Sequence, residues 1–439
     1  MTEQTRKVDS PLHPTQTSRL TPSQAIIIGA GPAGLATALR LQQKTNIQST
    51  VYELRPEPTT LGGAIGIQPN GLRLLDRLGV YDAMCGRGYG GANLTLHSLQ
   101  GHVIGTSDYV GWAREKTGYG YMRIKRVDIV DIMKAKVDEA GIPIIYGKRI
   151  TEIQEEGDGV TVRFEDGTVN TADILFGCDG IHSFVRSHFV DPGYLPEYSG
   201  VSGLGALVPG QVLSKGHLEM MTGLEGTLTE EGMLAVNPCA PNKEEVFMFF
   251  SKWLPIPETG DSRDGWEVHR KEEVDGFKDQ LMGILKNARG DWGDALREVV
   301  QSTSSVNFYP VYRLPLGGRW SRGRCVLVGD AAHAMSPHAG QGVSMAMEDV
   351  FLLARLLEDP GRPIDEVFQK YYQIRRPRVD SIFTMAAQNA QMRKQRTSTG
   401  LWWQELKLSM MLNVSWAFGL DKRGLNQGHL VYDIEEVEL

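Results

Sequence analysis

The sequence predicts an α/β fold: a Rossmann-like, mostly parallel sheet with an inserted antiparallel-sheet domain and a helical C-terminal region. Three observations carry this. The stretch "AIIIGAGPAGLATALRLQQK", Ala25 to Lys44, passes from β-branched residues through a glycine turn into a helical pattern. A continuous apolar run of this kind suits a strand covered on both faces of a parallel sheet. Residues 200–310 carry several short strand-like runs with helix-like segments among them and no glycine-rich turn, which suggests a second, antiparallel layer. Beyond residue 340 the pattern is mainly helical.

Composition sets the outer limits. At 439 residues the chain exceeds one core, and a prior of roughly 150 residues per domain suggests two or three domains. Apolar residues make up 41% and charged residues 23%, so the chain is expected to bury a large core. With 46 Lys and Arg against 53 Asp and Glu, the net charge of −7 provides no overall positive field for nucleic acid or anionic lipid. Cys85, Cys178, Cys239 and Cys325 are far apart, with no C-x-x-C pair and no cluster at metal spacing. No metal site is expected, and a reducing, cytoplasmic setting fits. Residues 1–23 read as a mobile tail, rich in Ser, Thr, Gln and Pro. No stretch reaches the roughly 18 uninterrupted apolar residues of a transmembrane helix.

In order along the chain, Gly29, Gly31 and Gly34 supply G-x-G-x-x-G between the first strand and helix. The glycines allow a tight turn, close approach of the backbone to a pyrophosphate, and contact between helix and strand. The helix N-terminus presents free N–H groups and partial positive charge to such a phosphate. A second strand, "STVYE", ends at Glu53, 19 residues beyond Gly34, where a carboxylate accepts hydrogen bonds from a ribose. A helix-like "NGLRLLDRLG" follows, and later Ile129, Ile132, Met133 and Val137 recur at helical spacing. The runs "KRITEIQEE" and "GVTVRFEDG" start a small three-strand layer, and "TADILFGCDG" returns toward the main sheet. "LGALV", "MLAV", "EVFMFF" and "SSVNFYP" are strands of the second sheet, which "ANLTLHSLQG" joins. Finally "RCVLV" reads as a buried parallel strand that ends at Gly329-Asp330, and "VSMAMEDVFLLARLL" as a helix. Ligands of open α/β sheets sit beyond the carboxyl ends of the strands, which is where Asp330 stands. The expected division is a tail over 1–23, a discontinuous nucleotide-binding domain over 24–190 and 310–395, a substrate domain over 86–113 and 195–309, and a helical segment over 396–439.

Three motifs now stand in order: Gly29–Gly34 with Glu53, "CDGIHSFVR" from Cys178 to Arg186, and "GDAAHAMSPHAGQG" from Gly329 to Gly342. This set resembles the single-component FAD-dependent aromatic hydroxylases, the group A flavoprotein monooxygenases typified by p-hydroxybenzoate and salicylate hydroxylases. The resemblance covers about residues 24–395 and is weakest through 200–300. It implies that Asp330 bonds the ribityl chain or a nearby sugar-phosphate oxygen of FAD, that Asp179 and Gly180 lie around the pyrophosphate, and that Arg126 contacts FAD. It links Arg186 to cofactor phosphates, against the alternative of a surface salt bridge, and extends cofactor contact to Pro32, Ala33, Arg55, Pro337, Gly340, Gly342 and Val343. Gly340 and Gly342 let the backbone approach a flat ring, and the following helix turns its positive end to the flavin. Residues 61–69, "LGGAIGIQP", resemble the loop along the isoalloxazine.

The chain shows one dinucleotide fingerprint, and the resemblance explains this: NADPH or NADH docks transiently, passes hydride to the flavin and leaves. Reduced flavin then meets O2 and forms a C4a-hydroperoxide that hydroxylates an electron-rich aromatic small molecule, a phenol or an indole-like ring. Secondary metabolism and aromatic catabolism are the settings this implies. No Ser-His-Asp, paired-carboxylate or metal constellation is needed, and no catalytic side chain is assigned, with His338 the one candidate. Substrate-facing candidates are Phe247, Phe249, Tyr309, Pro337 and His338; Phe247 and Phe249 share a strand face. Trp402 and Trp403 read as helix packing. The alternatives are an epoxidase on the same scaffold, a non-oxygenating FAD-dependent oxidoreductase, and a noncatalytic protein that kept the nucleotide fold. A monomer and a homodimer both remain open.

Overall fold

The computed structural model describes residues 22–58, 62–91, 93–256 and 270–439. The expected tail therefore lies almost wholly outside the described residues, as does Leu61 of the loop over 61–69.

The six-stranded sheet has the order Ser321–Arg322, Cys325–Leu327, Ile174–Gly177, Gln24–Ile28, Gln48–Tyr52, Ile144–Ile145, and every pair but the first is parallel. Its central strand is buried from Ala25 to Ile28 because helices Pro32–Lys44 and Gly342–Leu357 and the antiparallel layer of Ile150–Glu156, Gly159–Phe164 and Val169–Ala172 all join its core. The C-terminal edge of this sheet carries Gly29, Glu53, Asp179 and, just past Cys325–Leu327, Asp330. Residues distant in the chain are gathered there by strand order alone.

The second sheet has seven strands, in the order Asn307–Arg313, Glu197–Pro209, Glu245–Trp253, Gly232–Pro238, Leu224–Leu228, Asn93–Ser98, Val103–Asp108. Alternation of side chains separates its faces. Leu204, Ala206, Val246, Met248, Phe250 and Phe308 turn to a core completed by helices Phe277–Ile284 and Gly290–Ser302. The opposite face holds Gly203, Gly205, Phe247, Phe249 and Ser251, with Tyr309 paired beside Gly203.

One reading of the C-terminal region needs correction. Helix Ser398–Ala417 forms as the expected helical region, and the residues beyond it run as turns and short 3-10 segments in which Leu430 is buried beside Val110 and Ala113 and Ile434 joins the core of the parallel sheet. Trp402 and Trp403 are 55% and 64% exposed, because the helix packs instead through Leu401, Leu408 and Leu412 against the strands over 93–108. Helix Gly111–Thr117 was not foreseen. Among the described residues no helix is long and apolar enough to cross a membrane. All four cysteines are free thiols.

Candidate functional site

The site is built first by missing side chains. Gly29 adopts φ +103°, and a Cβ there would lie 2.6 Å from the carbonyl oxygen of Cys178. A Cβ on Gly34 would stand 1.9 Å from the oxygen of Gly29. Only glycine lets the turn, the first helix and the Cys178–Asp179 strand end meet. In contrast, a Cβ on Gly31, Gly180 or Gly342 would meet nothing within 4 Å, so open space lies in front of these three backbones. The helices that begin at Pro32 and Gly342 have no side-chain cap and no acidic residue in the first turn. Their positive ends are left for an anion or a polar group from outside.

Four carboxylates and two arginines surround this space or underlie it. Glu53 accepts the backbone N–H of Ala30 at 2.8 Å and of Arg55 at 3.0 Å, one on each oxygen, which leaves lone pairs on both. It thereby pins the glycine turn to the second strand. Oδ2 of Asp179 accepts from the N–H of Phe184 and Val185, whereas Oδ1 is buried without a partner among the described residues. Asp330 is exposed to the crevice by area yet flanked by protein, and the desolvation raises its pKa, with His333 and Arg126 partly opposing. Asp349 is the hidden member, described below. Arg126 donates its backbone N–H to Gly63 and sends its side chain past Gly62, close to the hydroxyl of Tyr309. Arg55 is exposed two residues beyond Glu53.

Arg186 is corrected. It is 1% exposed, and its guanidinium donates to the carbonyls of Tyr194, Ala331 and Ile181. It is neither a surface salt bridge nor open to a cofactor phosphate, because three backbone oxygens hold it as an internal cross-link under the Asp330 turn.

On the other wall, a Cβ on Gly63 would stand 1.9 Å from Cε2 of Phe247, and one on Gly66 would stand 2.2 Å from the hydroxyl of Tyr121. The rings of Phe247 on the second sheet and of Tyr121, just before strand Met122–Lys125, thus reach the segment over 62–67, in which Ala64–Ile67 is an antiparallel strand paired with Met122–Lys125 and not the expected loop, because the backbone hydrogen bonds of these residues are taken up by that neighbour. Phe247 and Phe249 have ring centroids 5.9 Å apart, and the Tyr309 hydroxyl is buried with no partner among the described residues. Pro337 is exposed, and Val343 is half-buried in the first turn of its helix. Gly340, at φ +62°, faces Gln68 just past that segment. His338 is half-buried and its Nε2 has no partner among the described residues; burial pushes its pKa well below the ordinary histidine value, with Arg393 adding to the effect. At neutral pH the ring is uncharged.

These features fit FAD. An open cradle before two uncapped helix ends, an orphaned carboxylate oxygen at Asp179, and Asp330 at a strand end suit a pyrophosphate and its sugar and ribityl hydroxyls. Among the described residues no group of His, Cys, Asp and Glu is placed to hold a metal. A cavity of about 650 Å³ opens at the other edge of the sheet, lined by Gln24, Gln48 and Thr171 at the amino ends of the strands, the wrong end for a nucleotide in such a fold.

Sequence reasoning missed the support beneath the cradle. Asn70 and Gln341 exchange side-chain amide hydrogen bonds at 3.0 and 3.2 Å, and Asn70 also donates to Glu348 at 2.7 Å. Arg375 joins Glu348 to Asp349, and Arg378 joins Glu348 from the other side. The one signal was Glu348-Asp349 inside an otherwise apolar helix, since buried acids require buried bases. Nothing in the pattern pointed to Arg375 as the base.

Comparison with known proteins agrees with this geometry. Residues 22–253 and 300–386 match the family described as FAD binding domain. The chain is similar to 6-hydroxynicotinate 3-monooxygenase of Pseudomonas fluorescens, 28% identical over 90% of this chain and 94% of that protein. It is also similar to salicylate hydroxylase of Pseudomonas putida, 29% identical over 80% and 82%. In fold it resembles the crystal structure of Klebsiella pneumoniae HpxO complexed with FAD and uric acid, at a TM-score of 0.75 and 24% identity over 92% and 97% of the two chains.

Proposed function

From the premise that this chain belongs to the FAD binding domain family and is an FAD-dependent monooxygenase, we propose that it hydroxylates an electron-rich aromatic small molecule, a phenol or an indole-like ring. NADPH or NADH serves as transient electron donor and O2 as oxygen source. The observation that supports this reading is the open backbone at Gly31, Gly180 and Gly342 around the strand ends of Asp179 and Asp330, with the ring of Phe247 reaching Gly63 and the hydroxyl of Tyr309 near Gly62.

When bound, the flavin accepts hydride and delivers one oxygen atom from O2 to the ring. The protein's residues do the rest by holding and shielding. In this reading the Gly29–Gly34 turn and the helix from Pro32 bind the pyrophosphate through backbone N–H groups. Glu53 accepts from the adenosine ribose, and Asp179 and Asp330 accept from hydroxyls further along the cofactor. Arg126 contacts it through the fork of its guanidinium. The open end of the helix from Gly342 stabilises negative charge on the reduced ring by oriented N–H groups. Pro337, Gly340 and Val343 line that ring, and Phe247 and Phe249 exclude water on the substrate side. His338 stays neutral, so it supplies a hydrogen bond and not a charge.

The test is to purify the protein with its flavin and measure NAD(P)H oxidation and O2 uptake with a panel of phenols and indoles. Isotopic O2 must leave one labelled atom in the product. Consumption of NAD(P)H with no label in any organic product would favour a non-oxygenating oxidoreductase and end this reading.

A further inference from the structure

Large apolar side chains left in water are few over most of this surface, yet about half of those among the described residues fall between Trp402 and Leu425. They include every exposed tryptophan among the described residues: Trp402, Trp403 and Trp416, the last 74% exposed. Single apolar residues on a surface need no explanation, whereas a contiguous patch marks a contact.

Helix Ser398–Ala417 makes the patch contiguous. Trp402, Leu406, Met410 and Val414 recur every four residues and form one stripe, on the side away from Leu401, Leu408 and Leu412, which pack against the strands over 93–108. Only one of the two apolar sides has a partner. The inner side is fixed to the sheet, where Ser98 also donates to Glu405 at 2.9 Å, so whatever covers the outer side meets the helix side-on.

The charge around the patch indicates the cover. Residues 391–426 hold six Lys and Arg against two acids, in a chain whose net charge is −7. Both acids are engaged: Glu405 faces inward, and half-buried Asp421 accepts the backbone N–H of Lys422 at 2.8 Å. Glu230, beside the start of the helix, accepts from Ser398 at 2.7 Å. Lys407, Lys422 and Arg423 are exposed and make no ion pair among the described residues. An apolar face with unanswered positive charge complements a surface that is anionic outside and apolar beneath. A second copy of this chain fits worse. Lys407 is the tenth of the twenty residues of the helix, so antiparallel pairing about a two-fold axis at its middle sets lysine against lysine, with no free acid on the face. At a bilayer the same lysine lays its stem along the apolar face and lifts its head to the phosphates.

We propose that the outer face of helix Ser398–Ala417, with Lys407, Lys422 and Arg423, docks the protein in the plane of an anionic lipid bilayer. Trp402, Trp403 and Trp416 seat between headgroups and acyl chains, where amphipathic rings are favoured, and the helix lies along the surface rather than across it. None of these residues belongs to the cofactor site, so the inference goes beyond the reading of the preceding subsection and does not depend on which ring is hydroxylated.

The experiment uses the full FAD-bound protein and vesicles of phosphatidylcholine with or without phosphatidylserine, separated by flotation, with tryptophan fluorescence read against brominated lipid. The protein is expected to float with the phosphatidylserine vesicles, to lose fluorescence to bromine, and to be released by high salt. Lys422→Gln combined with Arg423→Gln is expected to weaken that binding about 25-fold, at ~5-fold per basic residue. Trp402→Ser combined with Trp403→Ser is expected to weaken it at least about 10-fold. Flavin content is expected to match the wild type in both variants, since all four side chains are exposed. Failure to float, equal binding to the two vesicles, or unchanged binding in both variants overturns the proposal. So does a dimer in sedimentation that the tryptophan variant dissolves, because it assigns the face to a second copy. Should the tryptophan variant misfold, the Lys422 and Arg423 variant and the bromine quenching of the wild type decide instead.

Discussion

Nε2 of His333 lies 2.6 Å from Oδ2 of Asp349, and that same oxygen accepts the backbone N–H of Gly329 at 2.9 Å. One buried carboxylate thus ties the strand-end turn that carries Asp330 to the helix whose open end faces the crevice. Its other oxygen takes Nε of Arg375 at 2.7 Å, so the turn, this helix and helix Ile364–Ala390 share a single charged joint. Asp349→Asn keeps the shape and removes the charge from beside a fully buried Arg375. The expected cost is about 3–5 kcal/mol of stability, the range for breaking one side of a buried pair. Denaturant unfolding of the apoprotein measures it, and a change below 1 kcal/mol would count against the joint.

The pH dependence of stability follows from the same group. Burial by itself raises the pKa values of Glu348 and Asp349, but Arg375 acts on both, with Arg378 on Glu348 and His333 on Asp349, and the net shift of each is downward. A carboxylate depressed in the folded state binds its proton first in the unfolded chain. Its stabilisation is therefore full above the unfolded value of about 4 and is lost as pH falls through the folded value. Thermal melts are expected to fall steeply below about pH 4, and less steeply in a Glu348→Gln variant.

His338 acts in the same direction but in a higher pH window. Its folded pKa lies well below 6.5, by burial first and Arg393 second. The unfolded chain takes up this proton first, so stability drops as pH falls from about 6.5 toward the folded value. His338→Gln removes that drop, which melting temperatures at matched pH values will show. The reaction rate between pH 6 and 8 is expected to carry no titration from His338; a pKa in that range that vanishes in the variant would contradict the neutral ring.

Gly34→Ala places a methyl 1.9 Å from the backbone oxygen of Gly29. No flexible side chain is there to yield. The variant is expected to purify without flavin and to melt earlier by several degrees, since overpacking costs about 1–3 kcal/mol. Gly31→Ala, with nothing within 4 Å, is expected to fold normally and lose only cofactor affinity, which flavin titration of the apoprotein separates from stability.

Asp330→Asn is expected to weaken FAD binding by about 10- to 100-fold, the equivalent of one hydrogen bond to a charged group. Because this carboxylate has no hydrogen-bond partner among the described residues, the apoprotein melt should stay unchanged or rise slightly. A fall in apoprotein stability equal to the loss of affinity would reassign Asp330 to a structural role.

Much of this was readable along the chain because it is local. The strand, turn and helix over 24–44 follow from adjacent residues, and the alternation in "EVFMFF" already placed Phe247 and Phe249 on one face. The order of strand ends that brings Glu53, Asp179 and Asp330 to one sheet edge follows from parallel topology. Trp402 and Trp403 misled for a physical reason. Ser398–Ala417 is apolar on both sides, so the pattern could not say which side meets the sheet; the spacing of Leu401, Leu408 and Leu412 made that choice only once strands 93–108 were in place.

The sequence by itself determined that a nucleotide cradle exists, where its glycines and acids stand, and that an aromatic strand face accompanies it. Tertiary structure alone decided that Arg186 turns inward to carbonyls at 181, 194 and 331, that Asp349 finds Arg375, and that Arg393 comes to rest beside Ser251, 142 residues away, with no ion pair among the described residues. Local patterns report what a residue's chain neighbours require. The partner of a long charged side chain is chosen instead by how separate layers pack and which polar atoms that packing leaves uncovered.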